Sequence, residues 1–386
     1  MSNKLKILVL NYEYPPIGGG GGIISKYISE GLSEIGHDIT IITTWFENLP
    51  EEESNNNLTI IRLKSKRKNN FRSNPLEMLS WISYSKQFLK KHCQKNQFDI
   101  CIANFAIPGG NVAKYILKIF NIPYVIISHG HDIPWVKPVS LYFSHFLNYL
   151  KIISICKKSL ANFIQTAEMK ANIDGFCKEY DKNILIPNGF DKNMFYPNYE
   201  KHKKGLKILF VGRLVKQKDP LTLLKAIKIF SDKHEDFTLN ILGDGPLRKK
   251  MEKFIDSNNL KDNVKILGKI PYSKMIEEYQ SASVLIAPSI SEGMSISIIE
   301  ALACGLYVIT TPASGNSELI SDRINGEIVN YQNSEQVADI LEKYYTNKYL
   351  LNYFVPEKFQ NDFKNKFNWE NIIDKYDKKL KQVVTR

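Results

Sequence analysis

Cysteine is scarce and scattered, with only Cys93, Cys101, Cys156, Cys177 and Cys304 in 386 residues. That excludes a disulfide scaffold and a paired-cysteine metal site, and it suits a reducing compartment where thiols serve as small core residues. No run of 18 apolar residues occurs, and Lys4 and Lys6 lead straight into a short apolar strand. Neither a membrane span nor a cleaved export signal is therefore expected. Low-complexity tracts and short-period repeats are also missing. So are Asp-x-Asp, Gly-x-Gly-x-x-Gly and Gly-Lys-Ser/Thr, which removes the commonest signatures of metal-held, dinucleotide and P-loop phosphates. What is present is globular: 43% hydrophobic and 24% charged residues, in a chain long enough for two domains.

The formal charge is +12. Each half of the chain carries the same excess of six, so no basic tail faces an acidic body. Arg62, Lys64, Lys66, Arg67, Lys68 and Arg72 nevertheless lie in a stretch without an acid. A solvated loop and a contact with an anionic membrane surface both fit this cluster. Nucleic acid is not an expected partner, because no nucleic-acid module accompanies the cluster. Trp135–Leu150 is dense in aromatic and aliphatic residues, which fits a core or interdomain helix, an apolar acceptor groove or a membrane-facing helix.

Short β-branched runs alternate with helical periods, beginning with Lys6–Asn11, Ile23–Ile35 and Asp38–Thr44. The pattern continues through Phe98–Ala103, Tyr124–Ser128, an expected strand at Ile152–Ile155, and Ile184–Ile186. After the polar stretch Tyr196–Gly205 a second series starts at Lys207–Val211. This predicts an α/β chain of two doubly wound, Rossmann-like domains facing a central cleft. The expected boundaries are 1–195, 196–365, and a last helix at 366–386 that returns to the first domain.

Several loops at strand ends carry chemistry. Gly18–Gly22, including Gly19 and Gly20, fits a flexible turn or a backbone approach to an anion at a helix start. His129-Gly130-His131-Asp132 sits where parallel strands face a ligand, and it lacks the fourth spaced ligand of a metal site. Arg213 and Lys218 flank a strand-to-helix turn and suit a diphosphate, although a solvated pair is the plainer reading. Gly243-Asp244-Gly245-Pro246 is turn chemistry. Ser297 and Glu300 have the spacing of a helix-capping box, which leaves Glu292-Gly293 unexplained; there a carboxylate could accept sugar hydroxyls.

Taken in order, Tyr14-Pro15-Pro16-Ile17-Gly18-Gly19, Ser128–Asp132, Ile186-Pro187-Asn188-Gly189-Phe190-Asp191, Phe210–Leu214 with Lys218, Gly243–Pro246 and Glu292-Gly293 with Glu300–Gly305 form one set. Over about 370 residues it resembles the retaining GT-B glycosyltransferases of family 4, the group 1 glycosyl transferases. The resemblance departs at Gly293-Met294-Ser295, where Gly-Phe/Leu-Gly is common, and at Ser314-Gly315-Asn316 before Glu318.

The resemblance implies a nucleotide-sugar donor and no metal or other cofactor. It assigns the diphosphate to Arg213 and Lys218, with Gly19 and Gly20 approaching it from the first domain. Ribose hydroxyls fall to Glu300, the transferred sugar to Glu292, and the sugar's 6-hydroxyl to His129. The base is read near Gly268, Lys269 and Ile270. The distal phosphate is reached from the backbone of Met294, Ser295, Ile296 and Ser297. His129, Arg213, Lys218 and Glu292 are the expected catalytic residues. The expected reaction moves a hexose or N-acetylhexosamine, from a UDP-sugar first of all, to a saccharide or lipid-linked saccharide in surface-glycan synthesis; the alternatives are a nucleotide-sugar hydrolysing epimerase and a transferase acting on a small soluble acceptor. The expected location is the cytoplasm, with peripheral contact at the inner membrane face.

Overall fold

A computed structural model describes residues 4–70, 73–130, 132–134, 142–198, 205–347 and 355–385. Arg72, His131, Trp135–Leu141 and residues 199–204 of the polar stretch lie outside the described residues. The chain divides into two units, Met1–Asn188 with Trp369–Arg386, and Gly189–Asn368.

Unit 1 contains β1 (Lys6–Leu10), β2 (Asp38–Thr44), β3 (Glu52–Asn55), β4 (Leu58–Leu63), β5 (Ile100–Asn104), β6 (Tyr124–Ile127), β7 (Ala161–Ile164) and β8 (Asn183–Leu185). They form one sheet in the order β3-β4-β2-β1-β5-β6-β7-β8. All pairings are parallel except β3 with β4. The β5, β6 and β7 strands are buried along their whole length, as helices on both faces of a parallel sheet require. Those helices are α1 (Gly20–Glu34), α2 (Pro75–Lys95), α3 (Gly110–Phe120), α4 (Tyr142–Lys158) and α5 (Ala167–Cys177). Asn74 and Glu77 close a reciprocal capping box at the start of α2, and Trp81 from that helix packs edge-on against Tyr12 at 5.8 Å.

The expected strand at Ile152–Ile155 is instead the last part of α4, and the strand follows at β7. Ile152, Ile155 and Cys156 are the buried residues there, an i, i+3, i+4 spacing that β-branched composition had obscured. The basic loop is also less free than its composition suggests. Arg62 is buried, bonding to Pro50 O at 3.1 Å and to Glu53 at 2.5 Å, while Lys64 pairs with Glu51. Arg67 is buried over the Tyr12 ring and donates to Asn69 O and Asn70 O at 2.7 and 3.0 Å.

Unit 2 has β9 (Leu206–Val211), β10 (Phe237–Leu242), β11 (Val264–Gly268), β12 (Val284–Ala287), β13 (Tyr307–Thr310) and β14 (Gly326–Ile328). Its sheet is wholly parallel, in the order β11-β10-β9-β12-β13-β14. The helices are α6 (Pro220–Ser231), α7 (Arg248–Ser257), α8 (Tyr272–Ser281), α9 (Ile296–Ala303), α10 (Asn316–Leu319), α11 (Ser334–Thr346) and α12 (Glu357–Phe367). Strand order reverses between β9 and β12, which opens a crevice at their carboxyl ends.

The final helix, α13 (Trp369–Val384), belongs to unit 1. Trp369 stacks on Tyr27 with ring centres 5.0 Å apart, and Gly31 on α1 leaves the space that Ile373 occupies. His37 bridges the two ends of the unit: its Nδ1 accepts from Leu5 N at 2.9 Å and its Nε2 donates to Asp377 at 2.8 Å.

Candidate functional site

In unit 2 the switch point gathers the loops after β9 and β12. Ile290 N donates to Gln217 O, and Gln217 Nε2 returns a bond to Ser291 O, both at 2.8 Å. These bonds hold the Lys218 loop against the Glu292 loop. Lys218 Nζ donates to Glu292 Oε1, which also accepts from Ser289 Oγ at 2.8 Å. Glu292 is buried, so without the ammonium it would be a desolvated, unpaired charge. Arg213 is half-buried one residue beyond Gly212, and among the described residues its guanidinium has no ion-pair partner. The fold thus brings a paired lysine and an unpaired arginine to one strand-to-helix turn.

That turn tolerates only a particular backbone. Gly243 sits at φ +132°, and a Cβ there would lie 2.0 Å from Gly212 O. Leu214 N donates to Asp244 O at 3.0 Å and Gly243 N to Gly268 O at 2.7 Å, so the ends of β9, β10 and β11 are stitched together. Gly268, Lys269 and Ile270 leave the end of β11. The Gly243–Pro246 turn thereby shapes the arginine loop by close backbone contact.

Helix α9 starts after Ser295, whose side chain caps nothing and instead meets Ser297 Oγ at 3.0 Å. The capping-box reading of Ser297 and Glu300 does not hold. Glu300 is turned into the interior, where Oε1 accepts from Tyr272 OH and Oε2 from Tyr279 OH, each at 2.8 Å. Burial pushes its carboxyl up to about 7, and the two phenol hydroxyls oppose that rise. Met294 precedes the cap residue and Ile296 opens the first turn, which the Ser295 side chain does not cap.

In unit 1 the glycine run forms the loop after β1 and the first turn of α1. Gly18 N donates to Asn70 O at 3.0 Å and Gly19 N to Glu13 Oε2 at 3.2 Å, so part of the basic loop and an acid brace it. Gly20 opens α1, and no side chain caps that helix. A Cβ on Gly21 would meet the Phe105 ring at 2.7 Å and His129 Cγ at 3.5 Å. The glycine turn and His129 are therefore neighbours.

His129 is fixed from three sides. Its backbone N–H donates to Asp132 Oδ1 at 2.9 Å, and Asp132 Oδ2 accepts from Ala106 N at 2.9 Å. Phe105 lies against the ring at 4.5 Å. With Asn104 Nδ2 donating to Ser25 Oγ at 3.2 Å, Asn104 Oδ1 accepts from His129 Nε2 at 2.9 Å. The Nε2–H tautomer leaves Nδ1 as a lone-pair acceptor, and Nδ1 is buried with no partner among the described residues. Burial pushes the imidazole down to about 4 against the opposing pull of Asp132, so it is neutral at pH 7.

The supporting residues were not singled out in the sequence. Asn104 and Ser25 for His129, Tyr272 and Tyr279 for Glu300, and Ser289 for Glu292 come from other elements. Only Asn104 carried a signal, as a polar residue closing a buried strand. Among the described residues no three His, Cys, Asp or Glu side chains converge as metal ligands.

Comparison with known proteins accounts for nearly the whole chain. Residues 18–193 match the model of Glycosyltransferase Family 4 and residues 192–365 that of Glycosyl transferases group 1. An uncharacterized glycosyltransferase of Methanocaldococcus jannaschii is 27% identical over 376 residues, 96% of each chain. Sucrose-phosphate synthase from Thermosynechococcus elongatus shares the fold with a TM-score of 0.87 at 20% identity, over 99% of this chain and 100% of that one. HepE of Anabaena, solved with UDP and glucose, gives 0.76 at 17% identity, over 98% and 100%. The chain belongs to the family 4/group 1 glycosyltransferase superfamily, GT-B enzymes that move a sugar from a nucleotide-sugar donor to an acceptor.

Proposed function

We propose that this chain is a metal-independent, retaining transferase that takes a hexose or N-acetylhexosamine from a UDP-sugar. The acceptor in this reading is a saccharide or lipid-linked saccharide of a surface glycan, met at the cytoplasmic face of the membrane. The observation that carries the donor assignment is the cross-linked pair of loops at the β9/β12 switch point, which sets Lys218 beside Glu292 and leaves Arg213 unpaired. The UDP held by HepE supports the choice of base.

In the reaction the bond from the anomeric carbon to the donor phosphate breaks, and negative charge grows on the diphosphate. Arg213 and Lys218 are fixed cations for that charge, aided by N–H groups of the first turn of α9. Glu292 accepts hydroxyls of the sugar and Glu300 those of the ribose. His129 Nδ1, an acceptor without a partner, takes a hydroxyl hydrogen bond from the sugar. Gly19 and Gly20 lie along the diphosphate, while Gly268, Lys269 and Ile270 read the base. The acceptor oxygen enters from the face the phosphate leaves, and its proton passes to that phosphate.

A thermal-shift panel of UDP-, GDP- and ADP-sugars tests the donor, since a ligand at about a hundredfold excess over Kd stabilises by ~2.7 kcal/mol. UDP-sugars should raise the Tm, and Arg213→Met should remove most of the rise. A panel with no shift overturns the donor assignment. Loss of transfer on adding chelator overturns metal independence, and an inverted anomeric proton coupling in the product overturns retention.

A further inference from the structure

Helices α2, α3 and α4 together contain nine lysines and a single acid, Glu77, which is buried in the cap of α2. Their excess of eight is larger than that of the whole first half of the chain, so the rest of that half is slightly acidic. The three helices enclose a pocket of about 340 Å³ in unit 1. Five lysines line it: Lys86 from α2, Lys114 and Lys118 from α3, and Lys151 and Lys158 from α4. None of the five pairs with a carboxylate among the described residues. Lys114 Nζ is held on Ser154 Oγ at 2.7 Å, and Lys86 Nζ lies over the Tyr115 ring at 5.4 Å. Neither contact neutralises charge.

We infer that this pocket binds a phosphate or diphosphate group, and that the group is carried on an apolar chain. Burial lowers both Lys86 and Lys114, and neighbouring lysines lower them further: Lys151 acts on Lys86, and Lys158 and Lys151 act on Lys114. The pocket therefore gathers like charges whose mutual repulsion a multiply charged anion relieves. Several ammonium groups from three rigid helices suit an anion with several oxygens. The apolar part follows from α4 itself. Leu147 precedes Lys151 by one helical turn, and Phe146, Leu147 and Leu150 are 69%, 66% and 80% exposed. Ile119, next to Lys118, is also exposed. Large apolar side chains beside a cationic pocket match an amphiphile better than a free ion. Within the described part of the aromatic stretch, Phe146, Leu147 and Leu150 thus face outward, while His145 is buried and Tyr149 packs on Phe176. Every residue of the inference lies in unit 1, so it needs neither the donor assignment nor the transfer reaction.

The test compares two probes at low salt: pyrophosphate by titration calorimetry, and phosphatidylcholine vesicles with or without phosphatidic acid by flotation. The intact chain should float with the phosphatidic acid vesicles and not with phosphatidylcholine alone. Lys114→Glu with Lys151→Glu should weaken that binding about tenfold or more. Lys118→Glu with Lys158→Glu, both at exposed positions, should do the same and guards against misfolding of the first pair. Lys157→Glu, on α4 but outside the pocket, and Lys249→Glu on α7 should bind nearly as the parent does. Lysine-dependent pyrophosphate binding without vesicle binding keeps the phosphate site and overturns the lipid. Absence of lysine-dependent binding to either probe, or an equal loss in Lys157→Glu, overturns the site.

Discussion

Replacing Glu300 with glutamine separates its burial from its charge. The carboxyl is raised from 4.5 to about 7 in the folded chain, principally by burial. A proton is then held more tightly folded than unfolded between those values. Stability must fall as pH rises from about 4.5 to 7 and level off above that, by a total of ~3 kcal/mol at about 1.4 kcal/mol per unit. Glutamine is isosteric and does not titrate, and either Tyr272 or Tyr279 can turn its hydroxyl to accept from the new amide. Urea unfolding of both proteins at several pH values from about 5 to 8 should therefore show a descending difference curve that flattens near neutrality. Binding of a nucleotide sugar gives a second reading, because its diphosphate diester does not titrate in this range. If ribose needs the ionised carboxylate, parent affinity should drop by up to about tenfold per unit below 7, while Glu300→Gln stays flat. Parallel stability profiles would refute the account of Glu300 as a carboxylate strained by burial.

Three further perturbations follow from the same unit. Lys218→Met should cost about 1–3 kcal/mol of stability, because it strands the buried Glu292 charge, and should slow transfer ~10²-fold. Arg213→Met should slow transfer similarly with a stability change within ~0.5 kcal/mol, so equal Tm losses in the two would count against the pairing described. Gly243→Ala should cost about 3 kcal/mol or more, since the new methyl would fall 2.0 Å from Gly212 O at a positive φ. An unchanged Tm would sink that reading.

The alternation of strands and helices was legible because buried parallel strands need continuous β-branched runs, and two such series separated by a polar stretch mark two sheets. The interdomain limits are blunter in sequence: the polar stretch starts at Tyr196, whereas the units part after Asn188. The helical end of α4 was masked because isoleucine serves a buried strand and a buried helix face alike. At the site, loops at strand ends announce themselves by residue type, but their partners do not. Lys218 and Glu292 are 74 residues apart, and Asn104 is 25 from His129. Such pairs exist only once the sheet order is set. Glu300 shows the limit most clearly, since its local spacing points to a cap and its environment is made by α8.

The position of α13 has a consequence for biosynthesis. Its residues leave the ribosome after the whole of unit 2, yet they complete the first unit, where Trp369 meets Tyr27 and Asp377 meets His37. Unit 2 has both its ends already joined, with Phe190 N donating to Phe367 O at 2.9 Å. The inserted unit can thus finish folding while the one begun earlier still waits for its closing helix, and a chain stalled before Trp369 would present the uncovered face of α1 to chaperones.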